Sequence, residues 1–567
     1  MKRTIRKIDK RVHSYFCIEF DFNQSVDSVV KKIPSVKYVA KQKYYVVKIS
    51  ADSALHIYNL IKDYKFRVIE KETEDIIKKA LTKMKSLYVA STSEGANFDV
   101  SLNMELLPFQ KAGALYLTKV KRGFLADEMG LGKTVQSIGA VVKENNFPCV
   151  VVCPSVAKNN WKKEINKWTS DISIQVLESD STIIGGRKWY IINYDIVHKF
   201  VDYFVLASPK CVILDECHYI KSPKARRTVS VKKLCSSAQN IYMLSGTVIE
   251  NRPKELISQL TILRRLDDFG GYHFFIKRYC EASHNGFGID KNGAANLEEL
   301  NKKLRSICFI RRKKKDVQKE LPKKTKKIIE VDIDDREIYN LARDNTPEWI
   351  KKHRDLYKEK DLFDEMELEE DDMNDYSIEL QRISAMRVQS YRSKYNSIKK
   401  AIDKLIDIED KIVVFAYHRP LQEKLISEYK DISCYIKGGM STKEKNFMEL
   451  EFEKNKRKKL IICSLIAAST AITLTAARTV LKTELGWTPA LHDQAEDRVH
   501  RISQTRESRI IYLLGRETID VDMMEIIESK REVVDNTLDG AGAEIMNKKI
   551  IDELINKVKR KYGKAKN

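Results

Sequence analysis

The chain has 567 residues, too many for one hydrophobic core, so three or four domains are expected. Hydrophobic residues make up 43% and charged residues 32%, a globular balance that excludes an intrinsically disordered chain. The formal net charge of +23 favours a polyanionic partner, because each Lys or Arg that neutralises a phosphate releases a counterion, although charge alone also fits a merely soluble, lysine-rich protein.

No apolar run approaches the roughly 18 residues of a membrane span, so no membrane partner is expected. The basic start, MKRTIRKIDK, is not followed by an apolar stretch and does not read as a secretory signal. The ten cysteines form no CxxC pair and no Cys/His cluster with zinc spacing. Cys149, Cys153, Cys211 and Cys463 sit inside apolar strands and read as buried free thiols, with no disulfides and no metal cluster expected.

Residues 1–85 read as a small basic α+β domain, with a strand at Tyr44–Ile49 and a helix at Ala51–Tyr64. Between 100 and 265, short apolar strands alternate with helices: Gly123–Ala126, Cys149–Cys153, Tyr190–Asn193, Cys211–Leu214 and Ile241–Leu244. Continuous apolar runs in a βαβ rhythm predict a parallel sheet buried on both faces. The rhythm breaks near Leu266, and residues 266–400 read as a charged, helical insertion and connector; its acidic run from Glu359 to Asp375 reads as a solvated face. The rhythm resumes over 401–535 with strands at Ile412–Ala416, Cys434–Ile436, Leu460–Cys463 and Ile510–Leu514. Residues 536–567 form a basic tail. The fold class is therefore α/β: two parallel-sheet lobes, a helical insertion and a small N-terminal domain.

The strongest local signal is Asp127-Glu128-Met129-Gly130-Leu131-Gly132-Lys133-Thr134, placed after a strand and opening a helix. Such a loop surrounds phosphates with backbone N–H groups. Lys133 is expected to reach the β and γ phosphates of ATP, and Thr134 to ligate Mg2+. Asp127 stands where the general pattern has its first glycine. About eighty residues on, the apolar strand Val212-Ile213-Leu214 ends in Asp215-Glu216-Cys217-His218. Asp215 is the expected second metal ligand, and Glu216 the group that orients and deprotonates the attacking water. Leu107-Pro108-Phe109-Gln110 precedes the loop; Gln110 can pair with the adenine edge while Phe109 packs nearby, or the segment simply starts a helix after Pro108.

These blocks resemble superfamily 2 motors of the Swi/Snf type. The loop is that family's form, Asp127 included, and Asp215-Glu216-Cys217-His218 resembles its DEAH box with Cys for Ala. Pro154-Ser155 with Trp161, Leu244-Ser245-Gly246-Thr247, Arg311-Arg312-Lys313-Lys314 with Leu321-Pro322-Lys323-Lys324, and Gln494-Ala495-Glu496-Asp497-Arg498-Val499-His500-Arg501-Ile502-Ser503-Gln504 follow in family order, spanning roughly 104 to 530. Arg252-Pro253-Lys254-Glu255-Leu256, Glu484-Leu485-Gly486-Trp487-Thr488-Pro489 and Ile33-Pro34-Ser35-Val36-Lys37-Tyr38 look like the annealing-helicase (HepA-related) branch, which carries a small DNA-structure-recognition domain; tyrosines stand here where that domain has tryptophans. Val248, Ser469 and Ala471 depart from the family pattern, the last two where it has glycines.

The resemblance implies two RecA-like lobes with ATP between them. Lobe 1 would supply Lys133, Thr134, Asp215 and Glu216, and lobe 2 Gln494, Arg498 and Arg501 from a helix beginning near Pro489. Ser155, Asn193-Tyr194, Gly438-Gly439 and Thr473-Leu474-Thr475 fall where the family touches the DNA backbone. The implied activity is a DNA-stimulated ATPase that moves along duplex, forked or single/double-strand junction DNA, annealing strands or remodelling forks. A strand-separating DNA or RNA helicase and a weakly catalytic DNA-binding scaffold are the alternatives. Tyr38, Tyr44 and Tyr45, set among lysines, either stack on unpaired bases or are half-buried strand residues. A monomer is expected, intracellular, cytoplasmic in a bacterium or phage and nuclear in a eukaryote.

Overall fold

The computed structural model describes residues 2–10, 13–170, 173–246, 253–284, 289–290, 293, 295–317, 322–353, 375–466, 472–501, 504–537 and 553–561. They divide into two compact units, Met1–Val317 with 537–542, and Gln318–Asn536 with 543–567. Thr247, Val248, Arg252, Leu321, Ser469, Ala471, Ile502, Ser503 and most of the acidic run lie outside the described residues.

The first unit opens with strands β1 (Arg3–Lys10), β2 (His13–Phe20), β3 (Lys37–Val39), β4 (Tyr44–Lys48) and β5 (Arg67–Val68), in the order β3-β4-β2-β1-β5. Period-two alternation sends Ile5, Phe16, Ile18, Tyr45 and Val47 to one face, where Ile57 and Leu60 of the helix Ala51–Tyr64 cover them. Ser50 opens that helix with a reciprocal capping box to Ser53. The domain is anchored within its unit by charge: Asp268 accepts from the Ala51 amide at 2.9 Å, Lys48 pairs with Asp267 at 2.7 Å, and the buried Asp52 pairs with Lys303. Tyr45 is a core residue, its hydroxyl donating to Asp27 at 2.6 Å, whereas Tyr38 stays exposed beside it at 4.9 Å.

The larger sheet of this unit contains β6 (Arg122–Leu125), β7 (Cys149–Cys153), β8 (Ile174–Val176), β9 (Trp189–Asn193), β10 (Cys211–Asp215) and β11 (Asn240–Leu244). After the short hairpin β12 (Ser283–His284) and β13 (Ile289–Asp290), β14 (Phe309–Ile310) returns to its edge. The order is β14-β6-β11-β10-β7-β9-β8, every pairing parallel. All five residues of β7, β9 and β11 are buried, as the unbroken apolar runs predict. The order sets the carboxyl ends of β6, β11 and β10 side by side, and in open α/β sheets ligands bind at such ends.

The second unit holds β15 (Lys324–Val331), β16 (Ile412–Ala416), β17 (Ser433–Ile436), β18 (Leu460–Ser464), β19 (Thr479–Lys482) and β20 (Ser508–Gly515), again all parallel, in the order β15-β20-β19-β16-β18-β17. Apolar clusters fill both faces of the sheet. Residues 266–400, read from sequence as helical, also supply a strand to each sheet, β14 and β15. β15 is too lysine-rich to announce itself; its eight residues are held by register against β20. The helix at 553–561 buries Leu554 and Val558 in one of these clusters. All ten cysteines are buried thiols.

One ionic cluster pins the helix Pro489–Glu496 to this sheet. Lys482 Nζ lies 2.8 Å from Glu496, both fully buried, and also donates to the His492 carbonyl at 3.0 Å. Tyr512 donates to Glu496 at 2.6 Å, and Lys324 approaches its other oxygen at 2.9 Å. Burial pushes Lys482 down to about 8 against the pull of Glu496. Burial also opposes ionisation of Glu496, yet Lys482, Lys324 and Lys326 hold it well below the usual carboxylate range. Glu496→Gln leaves Lys482 without its counter-charge and is expected to destabilise this unit by about 3–5 kcal/mol. Urea denaturation, with hydrogen exchange across Thr479–Lys482 as the local probe, checks it.

Candidate nucleotide site

The loop after β6 is shaped by two glycines. Gly130 and Gly132 adopt φ of +85° and +75°, and Gly132 opens the helix Lys133–Lys143. A Cβ at Gly132 would lie 2.6 Å from Gln110 Nε2, so both its backbone angle and its packing require glycine. Gln110 is buried beneath the loop: its amide donates to the Leu131 carbonyl at 3.4 Å and accepts from the Leu107 amide at 3.0 Å. Met129 crosses close to Gly246, where a Cβ would approach its Cγ to 2.7 Å.

Lys133 begins the helix, and its amino group donates to the Asp127 carbonyl at 2.9 Å. Burial lowers its pKa, opposed by Glu216, Asp127 and Asp215. Thr134 follows on the first helical turn.

The acidic pair ends β10. Asp215 is held at both ends: Trp161 Nε1 donates to its Oδ2 at 2.8 Å, and the Tyr194 hydroxyl donates to its carbonyl at 2.7 Å. Although part of its surface is accessible, the surrounding protein and then Glu216 push its carboxyl up to about 6. Glu216 takes φ of +51°, a left-handed conformation in a non-glycine residue that strand geometry does not require. The Ser245 hydroxyl, at the end of β11, donates to Glu216 Oε2 at 3.3 Å, and His218 Nδ1 lies 3.3 Å from the same oxygen. Lys133, Asp127, Asp215 and Glu216, which sequence reasoning singled out, thus converge from the ends of β6 and β10, with Ser245 at the end of β11 between them.

Asp127 does something sequence reasoning did not foresee. Its carboxylate is fully buried and paired with Arg312; Arg312 Nε donates to Oδ1 at 3.0 Å and Gln136 to Oδ2 at 3.1 Å. Arg312 also bonds the Phe109 carbonyl and, at 2.7 Å, Gln136 Oε1. The backbone continues the β14–β6 ladder, with Glu128 N donating to the Arg312 carbonyl at 3.0 Å. Arg311 ties the Ala126 and Gly246 carbonyls at 2.9 and 2.8 Å, and Glu128 accepts from the Lys314 amide at 2.7 Å. Phe109 packs near the Arg312 guanidinium, its ring 5.6 Å away. The expected nucleotide-binding residues Phe109, Asp127 and Glu128 are thereby joined to the Arg311–Lys314 block, with Asp127 directing its carboxylate into the protein.

Gln494, Arg498 and Arg501 belong to the second unit. Arg498 is buried, and its carbonyl accepts from the Leu474 amide at 2.8 Å. Arg501 donates to Thr473 Oγ1 at 2.7 Å, and Gln504 to the Thr475 and Ala477 carbonyls at 3.3 and 2.9 Å. The arginine block and Thr473-Leu474-Thr475 are therefore one local structure.

Residues 93–387 match the SNF2-related domain, and 393–503 the Helicase conserved C-terminal domain. The first match alone covers more than half of the chain. This chain belongs to the SNF2-related family. It is 32% identical to the DNA annealing helicase and endonuclease ZRANB3 of Bos taurus, over 82% of this chain and 43% of that protein. It is 30% identical to the SWI/SNF-related matrix-associated actin-dependent regulator of chromatin subfamily A-like protein 1 of Xenopus tropicalis, over 77% of this chain and 45% of that one. The Caenorhabditis elegans homolog of the latter is 28% identical over 91% of this chain and 74% of its own length. The chain thus spans less than half of the first relatives. A solved Sulfolobus solfataricus SWI2/SNF2 ATPase core in complex with dsDNA superposes loosely, with 23% identity over 78% of this chain and 94% of that one and a TM-score of 0.38.

Arg312 and Trp161 stand in the sequence only as members of family blocks, without a stated contact, and Gln136 stands in none. Asp127 offered the signal: an acid on a buried loop demands a counter-charge. In this SNF2-related chain 103 Lys and Arg residues compete for that part, and only the fold selects one. Asp127→Ala is expected to cost the first unit about 3–5 kcal/mol by stranding Arg312. The double variant Asp127→Asn with Arg312→Gln should recover part of that loss. Thermal melts of the single and double variants, run without nucleotide, check this.

Proposed function

We propose that the chain is an ATP-dependent DNA translocase or remodeller that couples ATP hydrolysis to movement along duplex or branched DNA, with strand annealing or fork remodelling as its output. The observation that carries the ATPase reading is the convergence of Lys133, Asp215 and Glu216 from the ends of β6 and β10, two parallel strands on either side of β11. The DNA reading rests on the SNF2-related family, the net charge of +23 and the similarity to the DNA annealing helicase and endonuclease ZRANB3.

The donor set suits Mg·ATP. A hydroxyl and a carboxylate are hard oxygen ligands of the kind Mg2+ takes, and the left-handed glycines leave the loop backbone open to phosphate oxygens. Thr134 and Asp215 would hold the Mg2+, which neutralises charge on the phosphates. Lys133 faces the β and γ phosphates in place of its bond to the Asp127 carbonyl. Glu216, steadied by Ser245, accepts the proton of the attacking water. Gln494, Arg498 and Arg501 belong to the second lobe; Arg501 is assigned to the developing charge on the transferred phosphoryl group. Because Arg501 also holds Thr473, the residue that meets the phosphate is tied to a segment assigned to the DNA backbone. Backbone contacts position the protein without reading bases.

Duplex or branched DNA is expected to raise ATP turnover strongly, measured by phosphate release; equal turnover with and without DNA contradicts the reading. Lys133→Ala should remove hydrolysis while circular dichroism stays that of the parent. Arg501→Ala should bind ATP normally yet turn over roughly 10³ to 10⁵ times more slowly. Turnover within a few-fold of the parent would reassign the finger.

A further inference from the structure

Trp161 is fully buried, yet it ends on a polar target. Its indole N–H, a donor with no acceptor capacity, points at Asp215 Oδ2 from 2.8 Å. A tryptophan placed only for packing does not require a carboxylate at its one polar atom. The helix that carries it, Lys158–Trp168, is itself fixed at its start: the buried Lys158 reaches the Leu177 carbonyl at 3.1 Å and Glu178 at 2.5 Å. The other end of Asp215 is fixed too, through Tyr194, whose ring stacks on Tyr219 at 5.3 Å with 9° between planes. Asp215 therefore cannot drift with its strand end, and its carboxylate has one oxygen committed to Trp161. Among the described residues, the other oxygen accepts only the Glu216 amide next along the chain, at 3.1 Å.

We propose that Trp161 is a positioning residue for the metal step: its indole N–H holds one oxygen of Asp215 so that the carboxylate presents the other to Mg2+. This rests on the ATPase reading above, and it assigns Trp161 a role in that site which packing does not supply. The indole acts through Asp215. Its loss leaves Lys133, the loop and the base Glu216 in place, so the defect belongs to metal affinity and not to nucleotide affinity.

The test is Trp161→Phe, which keeps an aromatic ring in the pocket and removes the N–H. A tryptophan isostere with sulfur in place of the N–H, introduced at 161, serves if phenylalanine unsettles the fold. Trp168→Phe is the control, because it deletes an indole bond of the same kind, to Glu164 at 3.0 Å, on the same helix but away from β10. Two readouts are taken on the full chain: the Mg2+ concentration that half-saturates ATP hydrolysis, and Mn2+ binding in the presence of ADP by electron paramagnetic resonance. ADP affinity without metal is measured alongside. A hydrogen bond to a charged group at this site predicts that Trp161→Phe needs roughly tenfold more Mg2+ for half-saturation and binds Mn2+ roughly tenfold more weakly. Metal-free ADP affinity should stay within about twofold, and Trp168→Phe should match the parent. Unchanged metal dependence in a folded Trp161→Phe overturns the proposal, as does an equal loss in Trp168→Phe. If the parent binds Mn2+ with ADP but hydrolyses no ATP, the ATPase reading fails while the Mn2+ measurement still decides the role of Trp161. If the parent binds no Mn2+, both fall.

Discussion

The ion pair between Asp127 and Arg312 is the constraint on which the first unit's site depends. It joins residues 185 positions apart in sequence, inside a protein interior that tolerates neither charge alone. Around it gather the carbonyl of Phe109, the amide of Gln136, the start of the phosphate loop and the edge strand β14. Gly113 shows how tightly they gather, because a Cβ there would fall 1.8 Å from Gln136 Oε1 and 2.5 Å from Arg312 Nη2. The pair gives the loop a rigid root, while the two left-handed glycines further along keep its tip open to an anion.

Strand order does the remaining work of assembly. A parallel sheet must be covered on both faces, so its crossovers are helices and its strands run as apolar cores. Its functional groups can then appear only at strand ends, and placing β11 between β6 and β10 sets Ser245 beside Glu216. The left-handed backbone of Glu216 lets the chain turn sharply while its side chain remains with Ser245 and His218. Local strain is held there by the tethers on Asp215, one to its side chain and one to its carbonyl.

The second unit solves a similar problem with charge. The helix Pro489–Glu496 must be held in a fixed place because the arginine block follows it directly. Glu496 binds it to β19 through Lys482, to β20 through Tyr512 and to β15 through Lys324, so three strands agree on one helix position. Nearby, Arg387 lies between the rings of Tyr417 and Trp487, at 4.5 and 4.2 Å, and donates to the Leu485 carbonyl at 2.6 Å. The turn before the helix is thereby secured as well.

The sequence by itself determined the parts whose physics is local. Unbroken apolar runs marked nine strands of the two large sheets to within a residue or two, because a strand buried on both faces has no polar alternation to blur it. The glycine-rich loop and the acidic pair at the end of β10 were legible because phosphate and metal chemistry restrict the residue types that can serve. Tertiary structure decided what depends on distant neighbours. β15 is lysine-rich and β14 only two residues long, so neither carries a pattern, and each exists because an edge strand was available to pair with. Tyr45 became core and Tyr38 stayed exposed although the two face each other across one side of the sheet, since Tyr38 sits on the edge strand β3 and Tyr45 one strand further in. Asp127 stands in a phosphate-loop motif yet turns inward, because a side chain's direction follows the counter-charge that folding brings to it. Trp161 reads in the chain only as part of a family block with Pro154-Ser155, and in the fold it donates to a carboxylate, for a hydrogen bond across 54 positions leaves no trace in local spacing.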